Sequence, residues 1–328
     1  MTPLLVSHQL NARFGARITG AELVVLPADP AARLADADCA RVEAAFFSGD
    51  VFPGGSRQFF SAVRKAPKLK WLHAFNVGTD HPIYAELLER GVRVTTSAGT
   101  TAEPIAQTAV MGLLALARGF PRWLVAQRSR QWNPERKLLP PDLKDQTAVI
   151  VGLGKIGTEI ARLARALGLT VVGIRRGPRR PEDRVEVAPP AALRGLLPRC
   201  DWLVLACPLT PETRGMIDAA AIAALPKGAR IINVARGEII DEAALVDALR
   251  SGQLAGACLD VFQAEPLAPE SPLWDLPNVL VTPHNAGAAR GTELRVLEMF
   301  LDNLGRWQRG APLINEVARE ENTLPRRI

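Results

Sequence analysis

The chain has 328 residues, 48% hydrophobic and 23% charged, and carries a formal net charge of +6 at pH 7. That length suits two domains with separate cores, and the composition is that of an ordinary globular protein. The longest apolar run, residues 109–117, reaches about half the length of a membrane span, the four cysteines lack metal or disulfide spacing, and the basic residues form no stripe. The expectations are therefore no metal, no membrane and no nucleic-acid partner, with an anionic small molecule as the partner that fits the basic balance. The opening "MTPLLVSHQL" has neither the basic start nor the small-residue cleavage site of a signal peptide, so a cytoplasmic location is expected.

In chain order, "PLLVS", "ELVVLP", "EAAFF", "LKWLHAF" and "VRVTT" alternate with helical patterns, which predicts a parallel α/β sheet. Residues 101–128 read as one long helix with a break at Gly119-Phe120-Pro121. A polar, proline-containing connection follows. A second alternation then runs through "TAVIVG", "LTVVGI", "DWLVLAC", "ARIINV", "AGACLDV" and "NVLVTP". The last helix, predicted over 288–309, comes after this second sheet and is expected to return to the first domain. The fold class is thus α/β, with two doubly wound parallel-sheet domains and a cleft between them. Residues 1–99 with 289–328 form the substrate domain, and residues 100–288 form the dinucleotide-binding domain.

"VIVGLGKIGTEIARLA" places Gly152, Gly154 and Gly157 in G-x-G-x-x-G spacing between an apolar run and an amphipathic helix. The first glycine permits the tight turn, the second admits a pyrophosphate to the backbone, and the third lets helix and strand pack closely. An acid that grips the adenosine ribose of NAD belongs about 20 residues further on. At that strand end stand Arg175 and Arg176, followed by Arg179 and Arg180. An arginine forks onto phosphate oxygens where a carboxylate would repel them. NADP(H) is therefore the expected cofactor, with NAD(H) as the alternative.

Three stretches each put an ionisable residue shortly after an apolar run: Arg236 in "INVARGEIIDE", Glu265 in "LDVFQAEPL" and His284 in "VTPHNAG". The succession "VGLGKIG", "CPLTPETRGMI", "LPKGARIINVARGEIIDEAAL", "GACLDVFQAEPL" and "NVLVTPHNAG" resembles the D-2-hydroxyacid dehydrogenase family along nearly the whole chain. The reaction this resemblance implies, reduction of a 2-keto acid, needs a cation to hold the carboxylate and polarise the carbonyl, which suits the planar fork of arginine. It also needs an acid to protonate the carbonyl oxygen, a role that fits imidazole. A carboxylate beside the ring orients it and favours its charged form.

The resemblance implies a Rossmann-type nucleotide-binding domain plus a flavodoxin-like substrate domain, with Arg236, Glu265 and His284 as the catalytic trio. It implies that backbone N–H groups around Asn76, Val77 and Gly78, in "HAFNVGTDHP", receive the substrate carboxylate together with Arg236. Asn76 departs from the commonest occupant, which gives its side chain a part in substrate choice. Thr108 is implied to face the nicotinamide and Asp260 to lie near its carboxamide. Further cofactor contacts are implied at Lys155, Ile156, Cys207, Pro208, Thr213, Val234, Ala235 and Gly287. Ala288 and Ala289 stand where relatives often carry a capping Ser or Thr. The activity so implied is a glyoxylate/hydroxypyruvate-type 2-keto acid reductase, working as a homodimer through the nucleotide-binding domains. The alternatives are an NADH-using phosphoglycerate-type or other D-2-hydroxyacid dehydrogenase and, in another class, a dinucleotide-sensing corepressor-like binding protein.

Overall fold

The computed structural model describes residues 1–79, 81–132, 139–180 and 183–318. The chain divides into two compact units, one of Met1–Thr100 with Arg290–Ile328 and the other of Thr101–Ala289.

The first unit holds β1 (Thr2–Val6), β2 (Ala21–Val25), β3 (Ala44–Phe47), β4 (Trp71–Ala74) and β5 (Arg93–Thr96). They lie in the order β2-β1-β3-β4-β5 with every pairing parallel. A parallel sheet is covered on both faces, so its strands are apolar throughout rather than alternating. Accordingly, β3 and β4 are buried at every position. Leu5, Phe47 and Leu72 pack on one side against Phe59, Val63 and Leu87. On the other side Leu4, Phe46 and Trp71 meet Val296, Leu297, Phe300 and Leu304 of the last helix, Thr292–Gln308. Phe46 stacks on Phe300 with ring centroids 4.1 Å apart. The last helix starts at Thr292 instead of near 288, because Ala288 and Ala289 offer no capping oxygen and the chain turns until Gly291.

The second unit holds β6 (Thr147–Val151), β7 (Thr170–Ile174), β8 (Glu186–Ala188), β9 (Trp202–Leu205), β10 (Ala229–Asn233), β11 (Leu254–Leu259) and β12 (Val279–Val281). Their order is β12-β11-β10-β9-β6-β7-β8, again all parallel. Counted from β6, this is the doubly wound 3-2-1-4-5-6 order with one more strand at the edge. The direction of winding reverses between β6 and β9, and in such sheets the ligand crevice lies there, at the carboxyl ends of the strands. The edge strand β8 has three residues, too few for a periodic sequence signal. The long helix is two helices, Ala102–Ala117 and Phe120–Arg128, bent by 72°. Gly119 sits at φ +69° between them and a proline falls in the second helix's first turn. Among the described residues no single helix is long and apolar enough to cross a membrane. Within the connecting segment, residues 133–138 lie outside the described residues.

Candidate active site

The glycine turn leaves β6 in the conformation its spacing requires. Gly152 has φ +99°, and a Cβ there would come within 2.6 Å of the Cys207 backbone. A Cβ on Gly157 would overlap the Gly152 carbonyl oxygen. At Gly154, by contrast, a Cβ would meet no atom within 4 Å, so the space in front of the helix Lys155–Ala166 is open. Lys155 and Ile156 begin that helix, whose first-turn N–H groups lack intrahelical partners. A tight backbone turn, an open cradle and a helix N-terminus together fit a dinucleotide pyrophosphate.

At the end of β7 the structure separates two arginines that the sequence presents as equals. Arg175, expected to reach the cofactor, folds inward onto Asp183 with 2.6 and 3.2 Å hydrogen bonds. Its side chain is 10% exposed, that of Asp183 1%. Burial opposes the Asp183 charge, but the Arg180 backbone N–H and the Arg175 guanidinium outweigh it and hold the carboxyl below its usual range. An acid therefore does stand by the strand end, brought there by the loop and neutralised by Arg175. Arg176 is exposed and makes no ion pair among the described residues. Burial pushes the Cys207 thiol up to about 11, and the Arg176 charge works against that rise. Glu212 is held below the usual carboxylate range, first by the Thr210 hydroxyl and more weakly by Arg176. Arg176 thus faces the loop 207–213 beyond β9. Thr213 Oγ1 fastens that loop, accepting from the Thr210 N–H at 2.7 Å and donating to the Pro208 carbonyl at 2.8 Å.

The three catalytic candidates all lie in the second unit. Glu265 Oε2 is 2.6 Å from His284 Nδ1, and Glu265 Oε1 accepts the Phe262 N–H at 3.0 Å. An ionised carboxylate only accepts, so Nδ1 carries the proton and the ring is held with Nε2 as the working nitrogen. His284 has φ +50°, a left-handed conformation uncommon for a residue with a Cβ. Its N–H bonds to the Asp260 carbonyl at 2.9 Å, and the Asp260 carboxylate accepts from the Thr282 hydroxyl and the N–H groups of Asn285 and Ala286. Asp260, expected beside the carboxamide, is 3% exposed, and its carboxylate holds the His284 loop in shape.

Arg236 follows β10, between Ala235 and the short turn Gly237–Ile239. Asn233, 1% exposed, donates to the Arg236 carbonyl at 2.9 Å and accepts the Ala235 N–H at 3.0 Å. A Cβ on Gly237 would overlap the Phe262 backbone, so that glycine lets the Arg236 loop press against the loop leading to Glu265. Asn233 escapes sequence reading because a polar residue at a strand end resembles any other turn former. Val234 and Ala235 are buried at the end of β10. Thr108 Oγ1 donates to the Ala286 carbonyl at 3.4 Å, and Gly287 packs on Thr101. Thr108 is thereby joined to the His284 loop.

In the first unit, residues 76–78 follow β4 at the carboxyl edge of the sheet. Among the described residues the N–H groups of Asn76, Val77 and Gly78 find no protein acceptor. Successive free N–H groups in a turn form a concavity suited to an anion. The Asn76 side chain, expected to have a part in substrate choice, is committed to its own loop: Nδ2 donates to the Gly78 carbonyl and Oδ1 accepts the Tyr84 hydroxyl at 2.7 Å. His81 caps the helix Pro82–Glu89, its Nδ1 accepting the Ile83 N–H at 3.2 Å.

The family model described as D-isomer specific 2-hydroxyacid dehydrogenase, NAD binding domain, matches residues 110–286. A glyoxylate reductase of Korarchaeum cryptofilum is 37% identical over 257 residues, 75% of this chain and 75% of that protein. The NADPH-dependent glyoxylate/hydroxypyruvate reductase of Sinorhizobium meliloti, solved with NADP and sulfate, superposes with a TM-score of 0.82 at 31% identity, covering 98% of this chain and 99% of that one. A D-isomer specific 2-hydroxyacid dehydrogenase of Xanthobacter autotrophicus Py2, solved with NADPH and MES, gives a TM-score of 0.80 at 32% identity over 97% and 98% of the two chains.

Proposed function

The chain belongs to the D-isomer specific 2-hydroxyacid dehydrogenase family, and from that premise we propose that it is an NADPH-preferring reductase of small 2-keto acids of the glyoxylate/hydroxypyruvate type. The observation that carries the chemistry is the 2.6 Å contact between His284 Nδ1 and Glu265 Oε2. When bound, the nicotinamide supplies the hydride. Arg236 holds the substrate carboxylate and polarises the carbonyl with its planar fork. His284 gives its Nε2 proton to the carbonyl oxygen as that oxygen gains charge. Glu265 keeps the bond to Nδ1 throughout, so the neutral ring left behind is the tautomer with Nε2 free. The turn 76–78 receives the carboxylate on its backbone N–H groups.

The cofactor preference is supported by the exposed Arg176 at the end of β7 and by the NADP(H)-bound relatives. Arg175 supports it only indirectly, by neutralising Asp183. The substrate class is supported by the named relatives. The protein is further proposed to act as a dimer through its second unit. Met111, Leu114, Phe120, Trp123 and Val125 are at least 36% exposed along the helices Ala102–Ala117 and Phe120–Arg128, and Trp132 is 96% exposed. A cytoplasmic location accompanies this reading. The test is turnover of glyoxylate, hydroxypyruvate and phenylpyruvate with NADPH, followed by chiral analysis of the hydroxypyruvate product. Formation of the D-isomer is expected, and the L-isomer would overturn the reading.

A further inference from the structure

Tyr84 is the chain's one tyrosine, 2% exposed on the helix Pro82–Glu89. A tyrosine so buried normally hydrogen-bonds its hydroxyl, and here the hydroxyl donates to Asn76 Oδ1 at 2.7 Å. The other end of the same amide, Nδ2, donates to the Gly78 carbonyl. A chain of bonds thus runs from the helix through the Asn76 side chain to the far side of the turn. It spans the segment whose three N–H groups find no protein acceptor among the described residues. A free-standing turn of this kind would sample many conformations, and holding it in one removes an ordering cost from ligand binding.

We propose that Tyr84 is a positioning residue for the substrate carboxylate: through Asn76 it holds the turn 76–78 with its N–H groups convergent. The inference rests on the proposed reading of that turn as the carboxylate site. Tyr84 lies in the first unit and acts on the turn through its hydrogen bond to Asn76. It also accounts for the uncommon asparagine. An amide presents an acceptor to Tyr84 and a donor to Gly78 together, which no smaller or purely accepting side chain does.

The experiment is a double-mutant cycle of Tyr84→Phe and Asn76→Ala, measured in the full-length protein with glyoxylate and hydroxypyruvate. Tyr84→Phe keeps the buried ring and removes the hydroxyl that donates to Asn76. It should raise the keto acid KM about five- to tenfold while kcat and the NADPH KM stay within about twofold. Because the two residues act in series, the double variant should match Asn76→Ala alone. Parallel changes in kcat and the NADPH KM, or additive effects in the double variant, would overturn the proposal. Backbone nitrogen-15 order parameters at Val77 and Gly78 give a reading without turnover, and Tyr84→Phe should lower them. Unchanged order parameters would remove the brace even if the enzyme reduces keto acids. Lowered order parameters in the variant, with a wild type that turns over no keto acid, would instead overturn the proposed function and, with it, the substrate role given to the brace.

Discussion

His73 offers a quantitative test of the first unit. It lies at 0% exposure on β4, ringed by Phe46, Trp71 and Phe300. Its ring nitrogens meet hydroxyls, Nδ1 with Thr95 Oγ1 at 2.8 Å and Nε2 with Ser97 Oγ at 3.1 Å. The Ser97 hydroxyl donates to the Ala74 carbonyl at 3.0 Å, so Nε2 is the donor; burial keeps the ring neutral, and Nδ1 then accepts from the Thr95 hydroxyl at 2.8 Å in preference to that hydroxyl's longer 3.5 Å contact with the Leu72 carbonyl. Desolvation lowers its pKa from 6.5 to about 3. A folded-state value below the unfolded one means that the unfolded chain binds the proton more readily. The stability is therefore complete above pH 6.5 and is lost as the pH falls toward 3. At pH 5, 1.5 pH units below the unfolded value, the loss is about 2 kcal/mol. His73→Gln removes the titration while retaining a donor and an acceptor. Urea unfolding at pH 7, 6 and 5 should show a variant less stable than wild type at pH 7 by about 1–3 kcal/mol. The gap should then narrow by about 2 kcal/mol at pH 5. Contributions from the other histidines cancel in the difference. A gap that stays constant across the range would refute the argument.

Glu265→Gln replaces the acceptor on His284 Nδ1 with a group that can donate to it and favour the wrong tautomer. A fall in kcat of about 10²–10⁴-fold is expected in steady-state assays, with NADPH affinity by fluorescence titration unchanged. Arg236→Lys keeps the charge but not the fork, and kcat/KM for keto acids should drop by at least about tenfold. Arg175→Ala strands a buried carboxylate and should lower the unfolding free energy by about 3–5 kcal/mol in urea titrations. Arg176→Ser should leave stability unchanged and raise the NADPH KM without raising that for NADH.

What the sequence made legible were features that local physics writes in one place. Apolar runs at strand length, Gly152 and Gly157 at the helix start, and the break at Gly119 each depend on neighbours within a few residues. The motifs around Arg236, Glu265 and His284 pointed to three candidates that the fold places at one edge of one sheet, each following a strand that ends there. Contacts that depend on how a loop folds back were hidden. Asp183 lies eight residues beyond Arg175, across two prolines, and no periodicity links them. The Tyr84–Asn76 bond likewise joins a helix to a turn through tertiary placement. Asp260 was legible as part of a motif, but its role below the His284 loop depends on backbone N–H directions that only the fold sets.

The most direct measurement is kcat/KM for hydroxypyruvate with NADPH and with NADH under identical conditions. The account predicts turnover with both and a preference for NADPH of about tenfold or more. Equal or faster turnover with NADH would contradict the role given to Arg176, and no turnover with either, despite cofactor binding, would contradict the reductase itself.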